Sequence, residues 1–142
     1  MKINLTDKKV IITGGSTGIG KEVVKLFAEN KSKIALFDVN DSEGSNLSNE
    51  LNKKGSEIRY WHLDVRDSNQ VSGGVLAANQ WLGGVDILIN LAGILQGASL
   101  DIEKFPDDIW ESVIGVNLTG SYLMVKHVSE IMIKQKKGVI IL

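Results

Sequence analysis

Residues 13–20, Thr-Gly-Gly-Ser-Thr-Gly-Ile-Gly, close the apolar run Val10-Ile11-Ile12 and open a stretch of helical periodicity. A succession of strand, glycine turn and helix restricts the chain to few folds. The first backbone N–H groups of a helix have no partners within it, and the macrodipole favours negative charge there, so such a turn is suited to a pyrophosphate. In this reading Gly14 turns the chain without a clash, Gly18 lets a ligand approach the backbone, and Gly20 lets the helix pack closely. Ser16 and Thr17 add hydroxyls for phosphate or for capping the helix.

Two phosphate-binding templates compete for the stretch. Gly15 to Lys21 nearly spells G-x-x-x-x-G-K, but that motif needs Ser or Thr next, to hold magnesium, and the next residue is Glu22. A carboxylate there would repel a triphosphate. The dinucleotide reading has separate support in Asp38, which ends a second apolar run, Ile34-Ala35-Leu36-Phe37. It lies roughly 20 residues beyond the turn, where an acidic side chain accepts hydrogen bonds from an adenosine ribose.

Apolar runs alternate with amphipathic stretches throughout, the pattern of an α/β chain whose parallel sheet carries helices on both faces. Five strands are expected: Val10–Thr13, Ile34–Asp38, Glu57–Leu63, Asp86–Leu91 and Val139–Leu142. Right-handed crossovers give a Rossmann-type doubly wound sheet of order 3-2-1-4-5 in one domain over residues 1–142. The first helix is expected from Gly18 to Asn30 with a stripe of Ile19, Val23, Leu26 and Phe27, and the second from Ser42 to Lys54, stopping at Gly55. Asp67 or Ser68 caps the third, whose stripe is Val71, Val75, Ala78 and Leu82 despite Gly73 and Gly74. Pro106, Asp107 and Asp108 start a long helix that is apolar almost all round between Ile109 and Ile133.

The turn, as T-G-x-x-x-G-x-G, resembles that of the short-chain dehydrogenase/reductase family, and three further motifs follow in order. Leu63-Asp64-Val65 resembles the family's adenine-contacting Asp-Val pair, Asn90-Leu91-Ala92-Gly93 its Asn-Asn-Ala-Gly strand end, and Val116-Asn117-Leu118-Thr119-Gly120 its helix-embedded Asn motif. Leu91, in place of the second Asn, is a departure. The resemblance implies a nicotinamide cofactor, a small-molecule alcohol or carbonyl substrate, and a catalytic set of Asn, Ser, Tyr and Lys. Cofactor-binding residues are then Gly14, Ser16, Thr17, Gly18, Ile19, Gly20, Asp38, Asp64, Val65, Asn90, Ala92 and Gly93, and NAD is expected over NADP because Asp38 would repel a 2′-phosphate. Asp64, Asn90, Ala92 and Gly93 should share one crevice with the turn.

Of the catalytic set only Asn117 has a match. Tyr122 and Lys126 have the Y-x-x-x-K form, but they follow Asn117 too closely to be the family's pair, which lies several tens of residues further on. The family's serine normally follows the fifth strand, and the chain ends at Leu142 within it. The expectation is therefore an amino-terminal, cofactor-binding part of a longer polypeptide, inactive by itself. A complete, non-catalytic dinucleotide-binding module is the alternative, with the nucleotide hydrolase behind it. The helix around Ile109–Ile133, apolar almost all round, is either a deeply buried core helix or a subunit interface; the resemblance favours the second and implies a homodimer or homotetramer paired through it.

Composition narrows the remaining classes. The 142 residues contain no cysteine and two histidines, so disulfides, thiolate chemistry and metal sites are not expected. With 16 basic against 17 acidic residues and no basic stripe, neither does the chain look built for nucleic acid. Lys134, Lys136 and Lys137 fall at a helix end, where they complement the dipole. No signal-like or membrane-spanning segment stands out, and the expected compartment is the cytoplasm.

Overall fold

Val10, Ile11 and Ile12 are all fully buried, as happens in a strand covered on both faces. In the computed structural model, which describes residues 4–142, they form the middle of β1 (Lys9–Thr13). Four more strands, β2 (Lys33–Asp38), β3 (Glu57–His62), β4 (Ile87–Asn90) and β5 (Val139–Ile141), complete a parallel sheet of order β3-β2-β1-β4-β5. The expected order holds, and strand limits differ by a residue or so at the ends.

Alternation along the strands divides the core in two. Ile11, Ala35, Phe37 and Leu88 point to the face covered by α3 (Ser68–Leu82) and α5 (Ser121–Gln135), where they meet Val71, Val75, Ala78, Leu123, Met124 and Val128. Val10, Ile12, Ile34, Leu36 and Ile89 point to the opposite face, against Val24, Phe27 and Ala28 of α1 (Gly18–Glu29) and Leu47 and Leu51 of α2 (Asp41–Lys53). Asp67 caps α3, accepting from the N–H groups of Asn69 and Gln70 at 2.8 and 3.1 Å.

The stripe of α1 departs from expectation. Ile19 and Leu26 are 79% and 53% exposed, Val23 is partly buried, and the buried line is Gly20, Val24, Phe27 and Ala28. A Cβ at Gly20 would strike the Gly14 carbonyl. Gly20 must therefore face the turn, and this sets the rotation of the whole helix. A periodicity read from apolar residues alone gives glycine no weight and so misses that phase.

The long apolar stretch is helical throughout but not uniformly so. It comprises α4 (Asp107–Ile114), a π-helical turn (Gly115–Gly120) and α5, in unbroken succession. Leu123, Met124, Val128 and Met132 are buried against the sheet, whereas Trp110, Leu118, Tyr122 and Ile133 are exposed. No helix of the described residues is long and apolar enough to cross a membrane.

Candidate functional site

The carboxyl ends of β1 and β4 lie side by side, and the chain leaves them in opposite directions: to α1 on one face, and to α4 and α5 on the other. A parallel sheet whose order reverses in this way leaves a crevice at the switch point. A groove of about 360 Å³ lies there, lined by Gly14, Thr17, Ile19, Gly20, Phe37, Asp38, Val39, Leu63, Asp64, Val65, Leu91, Ala92, Gly93, Ile94 and Val116. Its size is that of a small-molecule site. A larger hollow of about 580 Å³ between α3 and α5 is bounded by helix side chains and the Gly83–Gly84 turn, away from the switch point.

At one end the glycine turn presents the start of α1. Gly14 has φ +64 and a Cβ on it would lie 2.7 Å from the Ala92 backbone, so the turn and the end of β4 touch only because Gly14 has no side chain. Gly18 has φ +52 and open space where a Cβ would be. Thr17 is the N-cap residue, but its hydroxyl makes no capping bond, so among the described residues the first turn of α1 has no side-chain cap.

Asp38, at the end of β2, accepts the Ser16 N–H at 3.0 Å with one carboxylate oxygen and the Asn40 N–H at 3.0 Å with the other. Each oxygen keeps a lone pair for a further donor. Among the lining residues Asp38 and Asp64 carry charge and none is Lys, Arg or His. Asp64 is paired in turn with Arg66, whose Nε lies 3.0 Å from both carboxylate oxygens and whose Nη2 lies 2.6 Å from Oδ2. The hydrogen bond from Arg66 holds the Asp64 carboxyl below the ordinary range, against a smaller desolvation effect in the other direction.

The other end is organised by a chain of hydrogen bonds. The Ala92 N–H donates to Thr13 Oγ1 at 3.1 Å, and the Thr13 hydroxyl donates to Asn90 Oδ1 at 2.8 Å. Asn90 Nδ2 donates to Ser121 Oγ at 2.9 Å, and the Ser121 hydroxyl donates to the Asn117 carbonyl at 2.7 Å. Asn117 uses its amide on both sides of one residue, accepting the Ile94 N–H and donating to the Ile94 carbonyl, each at 2.9 Å. The β4 exit is thus fastened to β1 and to the π-turn.

The family model for short chain dehydrogenases matches residues 8–142. This chain belongs to the short-chain dehydrogenase family. It is similar to (+)-borneol dehydrogenase 1 of Salvia officinalis, 39% identical over 137 residues that make up 96% of this chain and 52% of the relative. Xanthoxin dehydrogenase of Arabidopsis thaliana is 35% identical over 139 residues, 96% of this chain and 49% of its own. The crystal structure of NAD+-bound xylitol dehydrogenase superposes with a TM-score of 0.91 at 32% identity, over 97% of this chain and 53% of that one. The chain spans about half the length of the curated relatives it matches.

Within this short-chain dehydrogenase chain, the residues singled out from sequence fall into two groups. Gly14, Thr17, Ile19, Gly20, Asp38, Asp64, Val65, Ala92 and Gly93 line the groove. Ser16 and Asn90 do not: both are buried, Ser16 with its hydroxyl towards α2, where a Cβ on Gly44 would lie 2.9 Å from Oγ, and Asn90 inside the hydrogen-bonded chain. The crevice expected to include Asn90 is built by it and lined by its neighbours. Gly18, with open space where a Cβ would be, lies between the lining residues Thr17 and Ile19 and does not itself line the groove, and Asn117 holds the wall through Ile94.

Thr13, Ile94, Arg66 and Ser121 were not singled out. Thr13 had a signal, a hydroxyl ending an otherwise apolar strand, and Ser121 another, a hydroxyl four residues after Asn117, where it can bond back to the carbonyl. Lys21, on which the phosphate-loop reading turns, pairs with Glu43 at 3.4 Å and does not line the groove. Nor do Tyr122 and Lys126; Tyr122 is 59% exposed, with the Lys126 ammonium 5.9 Å above its ring.

Proposed function

We propose that the groove holds a nicotinamide dinucleotide, NAD in preference to NADP, and that the chain is the cofactor-binding part of an oxidoreductase acting on an alcohol or carbonyl. The observation that carries this reading is the contact between Asp38 and the glycine turn, which joins a ribose acceptor to a pyrophosphate cradle at one switch point. The residues fit the group: the Gly18 Cβ position is open, the α1 terminus is uncovered, and the groove has the required size. Gly14, Thr17, Gly18, Ile19 and Gly20 would hold the pyrophosphate, Asp38 the adenosine ribose, Asp64 and Val65 the adenine, and Ala92, Gly93 and Ile94 the nicotinamide end. When bound, the cofactor supplies the hydride chemistry.

Asn117 acts through Ile94, positioning the nicotinamide end without touching substrate. At the nicotinamide end the lining residues Ala92, Gly93 and Ile94 carry no side chain able to give or take the alcohol proton, so this chain alone binds cofactor and turns nothing over. The exposed Trp110, Leu118, Tyr122 and Ile133 form the face through which copies pair. A 2′-phosphate would meet the Asp38 carboxylate with no lining cation beside it, so charge repulsion sets the preference. Titration of the protein with NADH and with NADPH tests the reading. NADH is expected to bind at least tenfold tighter, and Asp38→Ala to narrow the gap by improving NADPH. Equal or tighter NADPH binding by the parent would overturn the NAD preference, and binding of neither would overturn the dinucleotide site.

A further inference from the structure

The π-turn between α4 and α5 touches both walls of the groove. At its ends stand Gly115 and Gly120, five residues apart. In an α-helix, at about 100° per residue, they would point about 140° apart. A turn closed by i→i+5 bonds brings residues five apart back to nearly the same side. Both glycines meet the segment that follows β3: a Cβ on Gly115 would lie 3.3 Å from Arg66 Cδ, and one on Gly120 2.6 Å from Val65 Cγ2 and 2.9 Å from Val65 Cβ. Asn117, two residues after Gly115, points the other way and holds Ile94 by both amide groups. Between them Val116 lines the groove.

One turn of backbone therefore seats Val65 and Arg66 through its glycines and Ile94 through Asn117, and Val65 and Ile94 both line the groove. Resting on the dinucleotide reading above, we propose that the π-turn sets the width of the groove, with Gly120 and Gly115 as positioning residues for the adenine end and Asn117 for the nicotinamide end. An α-helical register would separate the two glycine faces and lift one of the two seats. A methyl group at position 120 would push Val65 outward, and Asp64, its chain neighbour, with it.

The test separates the two ends of the groove. Gly120→Ala is expected to weaken NADH and ADP binding at least tenfold at a temperature where circular dichroism shows the variant folded. Its affinity for nicotinamide mononucleotide, which lacks the adenine end, is expected to stay within threefold of the parent's. ADP isolates the adenine end, so a fault confined to the nicotinamide side would spare it. Should Gly120→Ala not fold, Gly115→Ala, which meets only the flexible Arg66 stem, is expected to fold and to weaken ADP severalfold. ADP affinity within twofold of the parent in a folded Gly120→Ala or Gly115→Ala variant, or an equal loss for nicotinamide mononucleotide, would overturn the proposal and leave the dinucleotide reading intact. A parent that binds neither NADH nor ADP would remove both.

Discussion

A side chain at position 18 would meet no atom within 4 Å, yet Gly18 has φ +52, so room and backbone conformation act separately there. A left-handed conformation costs a non-glycine residue about 1 kcal/mol or more, less for Asn. Gly18→Ala should lower stability by about that amount and also weaken NADH binding, because its methyl group would fill the open space between Thr17 and Ile19, the positions proposed to hold the pyrophosphate. Gly18→Asn tolerates the backbone better and should recover stability without recovering affinity. An Asn variant that binds like the parent would show that conformation alone is the reason for glycine. Asp64 offers a second check, since the hydrogen bond from Arg66 depresses its pKa. A depressed carboxyl contributes stability fully above its ordinary value of about 3.9 and loses that contribution as pH falls through the lower, folded value. Arg66→Gln should move the Asp64 titration to higher pH, read by carboxyl carbon NMR; an unchanged midpoint would mean that the pair seen here does not govern the group.

The helices show how far pattern alone carries. In α3 the stripe Val71, Val75, Ala78 and Leu82 is buried as its spacing suggests, and Asp67 is its cap. Its two glycines, identical in any propensity scale, differ in surroundings: a Cβ at Gly73 meets nothing within 4 Å, whereas one at Gly74 collides with the buried Leu63. Gly73→Ala should therefore raise stability by about 1 kcal/mol, and Gly74→Ala by distinctly less, because Leu63 must first move. Equal gains in denaturant midpoint would refute the distinction. Short-range signals such as a cap, a stripe or a glycine turn are legible because neighbours in sequence decide them. The phase of α1 was not, since Gly14 and Gly20 decide it through a contact of two glycines, and the π-turn was not, since its widening answers to Val65, Arg66 and Ile94 far along the chain. The faces of α4 and α5 followed the same division: a stretch apolar almost all round does not say which residues are buried, and the sheet decides it, covering Leu123, Met124, Val128 and Met132 and leaving Trp110, Leu118, Tyr122 and Ile133 exposed.

For the molecule as a whole, strand order was legible from the alternation of runs and helices, because right-handed crossovers leave few alternatives. The polar chain through Thr13, Asn90 and Ser121 was hidden, because its members meet only after the strands align. At the sheet's far side β5 has a hydrogen-bonded neighbour on one side only, and Val139 and Ile141 are 55% and 48% exposed. Such an edge is a template for another strand. The chain should associate as its concentration rises, and Ile141→Lys should reduce that association in light scattering; equal scattering by the two proteins would shift attention to the exposed face of α4 and α5. The pairing of β1 with β4 has a kinetic consequence. Thr13 and Asn90 are 77 residues apart, while β1, β2 and β3 pair with successive neighbours. Closing the longer loop carries more entropy, and distant pairings slow folding. A partly folded chain can hold three strands and the glycine turn yet have no opposite wall for a ligand to rest on. The capacity to bind would then arise late and in one step, with the docking of β4 beside β1.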